Sequence, residues 1–153
     1  MDLFLKIRDL LDQNIISYEL KEHPPTATSE ESARHRGEPL KIGAKAILLK
    51  TDDTFILAVF PADRKLDSKQ LKKLLGSKKL RFATEEELQQ ITGCIKGAVP
   101  PFGQLFGTEM IIDEALFDEE YMAFNAGSLE QSMKMKTVDY QKLIQSRKER
   151  FTE

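Results

Sequence analysis

A chain of 153 residues, 41% hydrophobic and 31% charged, carries enough apolar surface for a packed core without disulfides or metal. Its formal net charge of −2 excludes a surface that grips nucleic acid all over and leaves room only for a local basic patch. The one cysteine, Cys94, excludes an internal disulfide framework and a Cys-rich zinc site, and beside Gly93 with no histidine near it in sequence it reads as a small packed residue.

The first segment, M-D-L-F-L-K-I-R-D-L-L-D, is interrupted by charges and so lacks the apolar centre of a signal peptide. No apolar run reaches membrane-spanning length, and the expected location is the cytoplasm. Leu3, Phe4, Ile7, Leu10 and Leu11 recur at helical spacing behind Asp2 as N-cap, which predicts an amphipathic helix ending near Asn14. Ile15–Leu20 alternates weakly as a short strand and stops at His23-Pro24-Pro25. Thr28-Ser29-Glu30-Glu31 is a capping box for a helix that ends in Arg34-His35-Arg36 before Gly37, with the basic residues set against the helix dipole. Gly43–Lys50 and Thr54–Phe60 are apolar on both faces around Thr51-Asp52-Asp53 and predict a buried central hairpin.

Asp67 caps a helix over Ser68–Leu75, with Leu71, Leu74 and Leu75 inward and Gly76 as its stop. A short strand at Lys79–Phe82 precedes a second capping box, Thr84 to Glu87, and a helix ending before Gly93. Later come a strand at Glu109–Ile112, a turn or short helix at Asp113–Phe117, a strand at Tyr121–Phe124, a tight passage Asn125-Ala126-Gly127-Ser128 and a strand near Gln131–Met135. Thr137 is expected to cap a last helix with Val138, Tyr140, Leu143 and Ile144, and the charged tail from Arg147 to fray. Without regular βαβ alternation, the whole predicts one α+β domain over 1–153, a mixed, largely antiparallel curved sheet surrounded by helices.

Between the two halves lies G-C-I-K-G-A-V-P-P-F-G, Gly93–Gly103, with three glycines and two prolines in eleven residues. Such a segment cannot be helix or central strand, so it is either a connector or a shaped loop that presents its own backbone groups in a cavity. The familiar catalytic constellations are absent. His23 and His35 do not have zinc-binding spacing, there is no nucleophile elbow, Walker loop or dinucleotide fingerprint, and no metal or cofactor is expected. Lys45 stands out as a cation at the mouth of an otherwise apolar strand, G-A-K-A-I-L-L-K. It is either a lysine whose stem buries while its ammonium stays wet, or a cation held at a pocket rim for a phosphate, a carboxylate or an oxyanion.

K-A-I-L-L-K, then P-A-D-R-K-L-D with a helix, then G-x-x-x-G-A-V-P-P-F-G, then F-N-A-G-S and a final T-V-D-Y-Q-K-L-I helix resembles the YbaK/ProX family, which is related to the editing insertion of prolyl-tRNA synthetases. The resemblance is collinear over about the whole chain and implies a trans-editing deacylase that hydrolyses the ester of mischarged aminoacyl-tRNA. It places the family's lysine on Lys45 and its loop on Gly97-Ala98-Val99-Pro100-Pro101. It would make Lys45 and Gly97 the catalytic pair, and Ala98, Val99, Pro100, Pro101, Asn125, Ala126, Gly127 and Ser128 substrate-binding. Lys45 would hold the phosphate of the terminal adenosine or another anionic part of the acceptor end, backbone near Gly97 would orient the water or the 2′/3′ oxygens, and Asn125–Ser128 would shape the amino-acid pocket. The implied partners are the acceptor end of an aminoacyl-tRNA and an aminoacyl-tRNA synthetase, with no membrane.

This sequence departs from the family at Ala46, where many members carry Ser or Thr, and at Asn125–Ser128, where alanyl-specific relatives often carry a histidine. Lys69, Lys72, Lys73, Lys78, Lys79 and Arg81 could meet the tRNA backbone, or simply form a solvated face. A relative without turnover, using the same pocket to bind a nucleotide, an aminoacyl adenylate, a tRNA end or a protein partner, is the alternative reading.

Overall fold

The computed structural model describes residues 2–26 and 28–153. Helix α1 (Leu3–Gln13) starts where the Asp2 carboxylate accepts the Phe4 N–H, and it buries Ile7 and Leu11. It is followed by β1 (Tyr18–Glu22) and α2 (Ser29–Arg36), whose N-cap Thr28 accepts the Glu31 N–H at 3.1 Å. The hairpin β2 (Ala44–Lys50) and β3 (Phe55–Pro61) leads to α3 (Ser68–Leu74), capped by Asp67, and to the two-residue β4 (Arg81–Phe82). Helix α4 (Glu85–Thr92) opens on the full Thr84–Glu87 capping box. The chain closes with β5 (Glu109–Asp113), a 3-10 turn at Glu114–Asp118, β6 (Tyr121–Asn125), β7 (Gln131–Lys136), α5 (Thr137–Ile144) and β8 (Arg147–Glu149).

The fold is α+β, as expected, but its strands form two sheets. One is antiparallel, in the order β1-β7-β6. The other is mixed, in the order β4-β2-β3-β5-β8, with β3-β5 and β5-β8 parallel. A single parallel bridge, Gly43 to Ala123, joins β2's start to β6. Alternation along β2 sends Ala44, Ala46 and Leu48 into the larger core, shared with α1, the Gly93–Gly103 loop, β6 and β7. Ile47 and Leu49 face the smaller core under α3, with Phe60, Leu71 and Phe151. A strand buried on both faces reads as a continuous apolar run, which is why this hairpin was legible.

Three boundary expectations are corrected. The strand expected at Ile15–Leu20 begins only at Tyr18, because Ile15 turns left-handed (φ 56) to end α1 and is 93% exposed. Thr137 is the first residue of α5 and not its cap; Lys136 stands at the cap without a side-chain bond, and the Thr137 hydroxyl is turned to the carbonyls of Glu119 and Glu120. The tail does not fray. Arg147–Glu149 adds β8 beside β5, and Phe151 is buried edge-on against Phe60.

Asp113 anchors that tail. Its buried carboxylate accepts the N–H of Phe151 (2.9 Å), the Thr152 hydroxyl (3.0 Å) and the N–H of Ala115 (3.1 Å). Asp113→Ala leaves a buried backbone donor unpaired, so it should lower unfolding free energy by about 3 kcal/mol in urea titration, against roughly 1 kcal/mol for Thr84→Ala at an exposed cap.

Candidate functional site

The site forms where a sheet edge is left open. β4 pairs only with Leu49 and Lys50, and its continuation ends in an Ala83 N–H to Leu48 carbonyl bond of 3.0 Å. At the other end, Gly43 is bridged to β6. Backbone groups on a strand point alternately to its two sides, so Ala46, like Leu48, turns its N–H and C=O away from β3 and toward this gap. A cavity of about 830 Å³ fills the space, walled by β2, the start of α2, the 82–88 segment, the 96–99 loop and the end of β6.

Lys45, half-buried, lines the cavity, and its ammonium has no ion-pair or hydrogen-bond partner among the described residues. Lys96, exposed on the opposite loop, is likewise unpaired there. Neither ammonium is ion-paired among the described residues; with Arg36 they outnumber the two carboxylates of the lining, Glu30 and Glu85, an arrangement suited to an anionic ligand.

The loop turns at Gly97 in the left-handed region (φ 88), where an added Cβ would meet only Leu129 at 3.5 Å. It is held from both sides. Phe102 is fully buried, Gly103 sits so close to the Thr108 carbonyl that a Cβ would stand 2.4 Å from it, and the Tyr140 hydroxyl donates to the Pro101 carbonyl at 2.6 Å. On the cavity side, the Asn125 amide donates to the Gly97 carbonyl at 2.8 Å. Asn125 Oδ1 accepts from the Ser132 hydroxyl at 3.1 Å. The Ser132 hydroxyl also accepts from Arg36 Nη1 (3.2 Å) and lies in hydrogen-bond contact with His23 Nε2 (2.7 Å). A histidine therefore does reach the Asn125 segment, from the end of β1.

Arg36 is the deepest cation, 5% exposed at the inner end of the cavity, with Glu38 3.6 Å from its Nε. Burial lowers its pKa from the usual guanidinium value, and Glu38 partly offsets this. Thr26 and Ser32, buried and hydrogen-bonded to each other at 2.6 Å, add hydroxyls to the same end.

Of the residues expected at a site, Lys45, Gly97, Val99 and Asn125 line the cavity. Ala98, Pro100, Pro101 and Ala126 are buried behind its wall. Gly127 lies against Leu3 and donates its N–H to the Ala98 carbonyl at 3.0 Å, while Ser128 caps the next turn through the Glu130 N–H. None of Lys69, Lys72, Lys73, Lys78, Lys79 and Arg81 lines the cavity. Arg81 is engaged by Glu87 in a two-pronged ion pair (2.8 and 3.0 Å) that holds the Glu87 pKa down at about 2. Cys94 is buried, its thiol pKa pushed up by that burial, and lies outside the cavity lining.

Sequence reasoning missed Arg36, Ser132, Phe82, Lys96 and the Thr26/Ser32 pair. Lys96, beside Gly97 in the singled-out loop, carried a readable signal. Arg36 did not, since a basic residue in a last helical turn is ordinarily a solvated one.

A family model described as aminoacyl-tRNA editing domain matches residues 23–143. The multifunctional Ser/Thr-tRNA deacylase ProXp-y of Escherichia coli K12 is 33% identical over 141 residues, 89% of this chain and 84% of that protein. The prolyl-tRNA editing protein ProX of Acetoanaerobium sticklandii is 31% identical over 142 residues, 89% of this chain and 87% of that protein. Among solved structures, one described as a candidate trans-editing enzyme for prolyl-tRNA synthetase superposes with a TM-score of 0.87 at 21% identity, covering 100% of this chain and 98% of the other, a likeness of fold.

Proposed function

The chain belongs to the family of aminoacyl-tRNA editing domains, and from that membership we propose that it is a trans-editing deacylase hydrolysing the ester of mischarged aminoacyl-tRNA. The observation that carries the reading is the match to a Ser/Thr-tRNA deacylase along most of both chains. In the reaction, water adds to the ester carbonyl and gives up a proton, the carbonyl oxygen passes through an oxyanion, and the acyl C–O bond breaks as the departing ribose oxygen takes up a proton. Free amino acid and intact tRNA result.

An aminoacyl ester is already activated, so positioned water and a stabilised oxyanion suffice without a covalent nucleophile. Lys45 holds the phosphate of the terminal adenosine. Gly97, fixed by Asn125, orients the water or the ribose oxygens, and Ala46 offers its free N–H and C=O to the aminoacyl group. Val99 and Asn125 shape the amino-acid pocket, and Ala98, Pro100, Pro101 and the Ala126–Ser128 turn behind them hold its path. Lys78 and Lys79 would meet the tRNA backbone, with Lys69, Lys72 and Lys73 further out; Arg81, paired to Glu87, is the least available of the six. The partners are then the acceptor end and, as the source of the error, an aminoacyl-tRNA synthetase in the cytoplasm.

The inner end of the cavity, with its hydroxyls and Arg36, suits a small hydroxylated side chain. Under single-turnover conditions, seryl- and threonyl-tRNA should be deacylated at least tenfold faster than alanyl-tRNA. Binding of charged tRNA without ester release from any of the three would instead identify a non-catalytic module.

A further inference from the structure

Phe82 is a large aromatic side chain, 62% exposed, on the wall of the cavity, and its ring has no aromatic or cationic partner among the described residues. A single exposed apolar residue is ordinary; the position of this one is not. Phe82 is the direct cross-strand partner of Leu49, and residues paired across strands share a sheet face. Alternation along β2 puts Lys45 and Ile47 on that face as well. The open edge thus carries, in line, an unpaired cation, a half-buried aliphatic floor and an exposed ring. Lys45 and Leu49 are four residues apart on a strand, about 13 Å, roughly the reach of one nucleotide with its phosphate.

We propose that Phe82 is the stacking platform for the 3′-terminal base of the tRNA acceptor end, with Ile47 beneath the nucleoside and Lys45 on its phosphate. The proposal rests on the deacylase reading and adds to it the group that receives the base. A ring binds any base through its π-face, so it supplies affinity without sequence readout. This suits a terminus that carries little identity of its own. Exposed Lys78 and Lys79, just upstream of β4, extend the positive field along the strand leading to that base.

The chain contains no tryptophan, so Phe82→Trp installs a single reporter at the platform. Titrating this variant with the trinucleotide CCA should quench its emission by at least half. Phe82→Ala should raise KM for a mischarged tRNA about tenfold, with kcat changed less than twofold. Phe82→Leu, which keeps apolar bulk but lacks a π-face, should behave like the alanine variant, and Phe82→Tyr like the parent protein. Unquenched emission together with an unchanged KM in Phe82→Ala, or a leucine variant matching the parent, would overturn the proposal. The two readings fail separately: a parent protein that hydrolyses no ester while the tryptophan is still quenched removes the deacylase activity and leaves the platform. Turnover with neither quenching nor a raised KM in Phe82→Ala removes the platform alone.

Discussion

Lys45→Ala should reduce kcat/KM for deacylation of a good substrate by about 10- to 100-fold, the range expected when one charge-assisted contact to a bound phosphate is lost. The ammonium is already placed at the cavity wall with no partner to give up among the described residues, so its whole field is available to the substrate. Lys45→Arg keeps the charge but replaces a compact ammonium by a longer planar fork, and should restore only part of the rate. Because no internal ion pair is broken, both variants should unfold within about 0.5 kcal/mol of the parent chain. Parent-like rates in Lys45→Ala on a substrate that the parent hydrolyses well would remove the residue from the mechanism.

Gly97→Val should abolish most activity while leaving a folded protein. The space is there, since the nearest atom to an added Cβ is Leu129 Cδ2 at 3.5 Å. The backbone angle is not, because a β-branched residue at φ 88 is a genuine outlier, costing on the order of 1–3 kcal/mol. The chain would relieve that strain by moving the peptide whose carbonyl Asn125 holds, displacing the backbone groups proposed to orient the reacting atoms. A shift of about 1 Å at such a point can cost around 100-fold in rate. Val99→Ala removes two buried methyl groups, about 1.6 kcal/mol of burial, but leaves the loop's path intact. The expected order is therefore Gly97→Val far below Val99→Ala in kcat/KM, measured alongside urea unfolding of both. The reverse order would mean that side-chain packing, and not backbone path, sets the activity.

What could be read from the sequence follows from how local its cause is. Caps at Asp2, Thr28, Asp67 and Thr84 are settled within four residues and stood where expected. The β2–β3 hairpin announced itself by being apolar on both faces. The tail did not, because Arg147–Glu149 offers three charged residues, and its strand exists only through β5 alongside and Asp113 holding Phe151. At the site, Lys45 and the Gly97 loop stood out by composition. Arg36 and Ser132 did not, since their importance arises where the ends of α2 and β6 meet β7 across nearly a hundred residues of chain.

The shortness of β4 has a consequence for what can enter. An unprotected sheet edge invites any extended polypeptide to add itself as another strand. Along β2 the vacancy is closed at one end by Ala83 on Leu48 and at the other by Ala123 beside Gly43, leaving a window centred on the backbone of one residue, Ala46. A peptide needs several consecutive rungs to dock there and finds one. A lone amino acid joined to something that is not protein needs only one, so a gap of this width suits a monomeric acyl unit better than an extended chain carrying the same side chains.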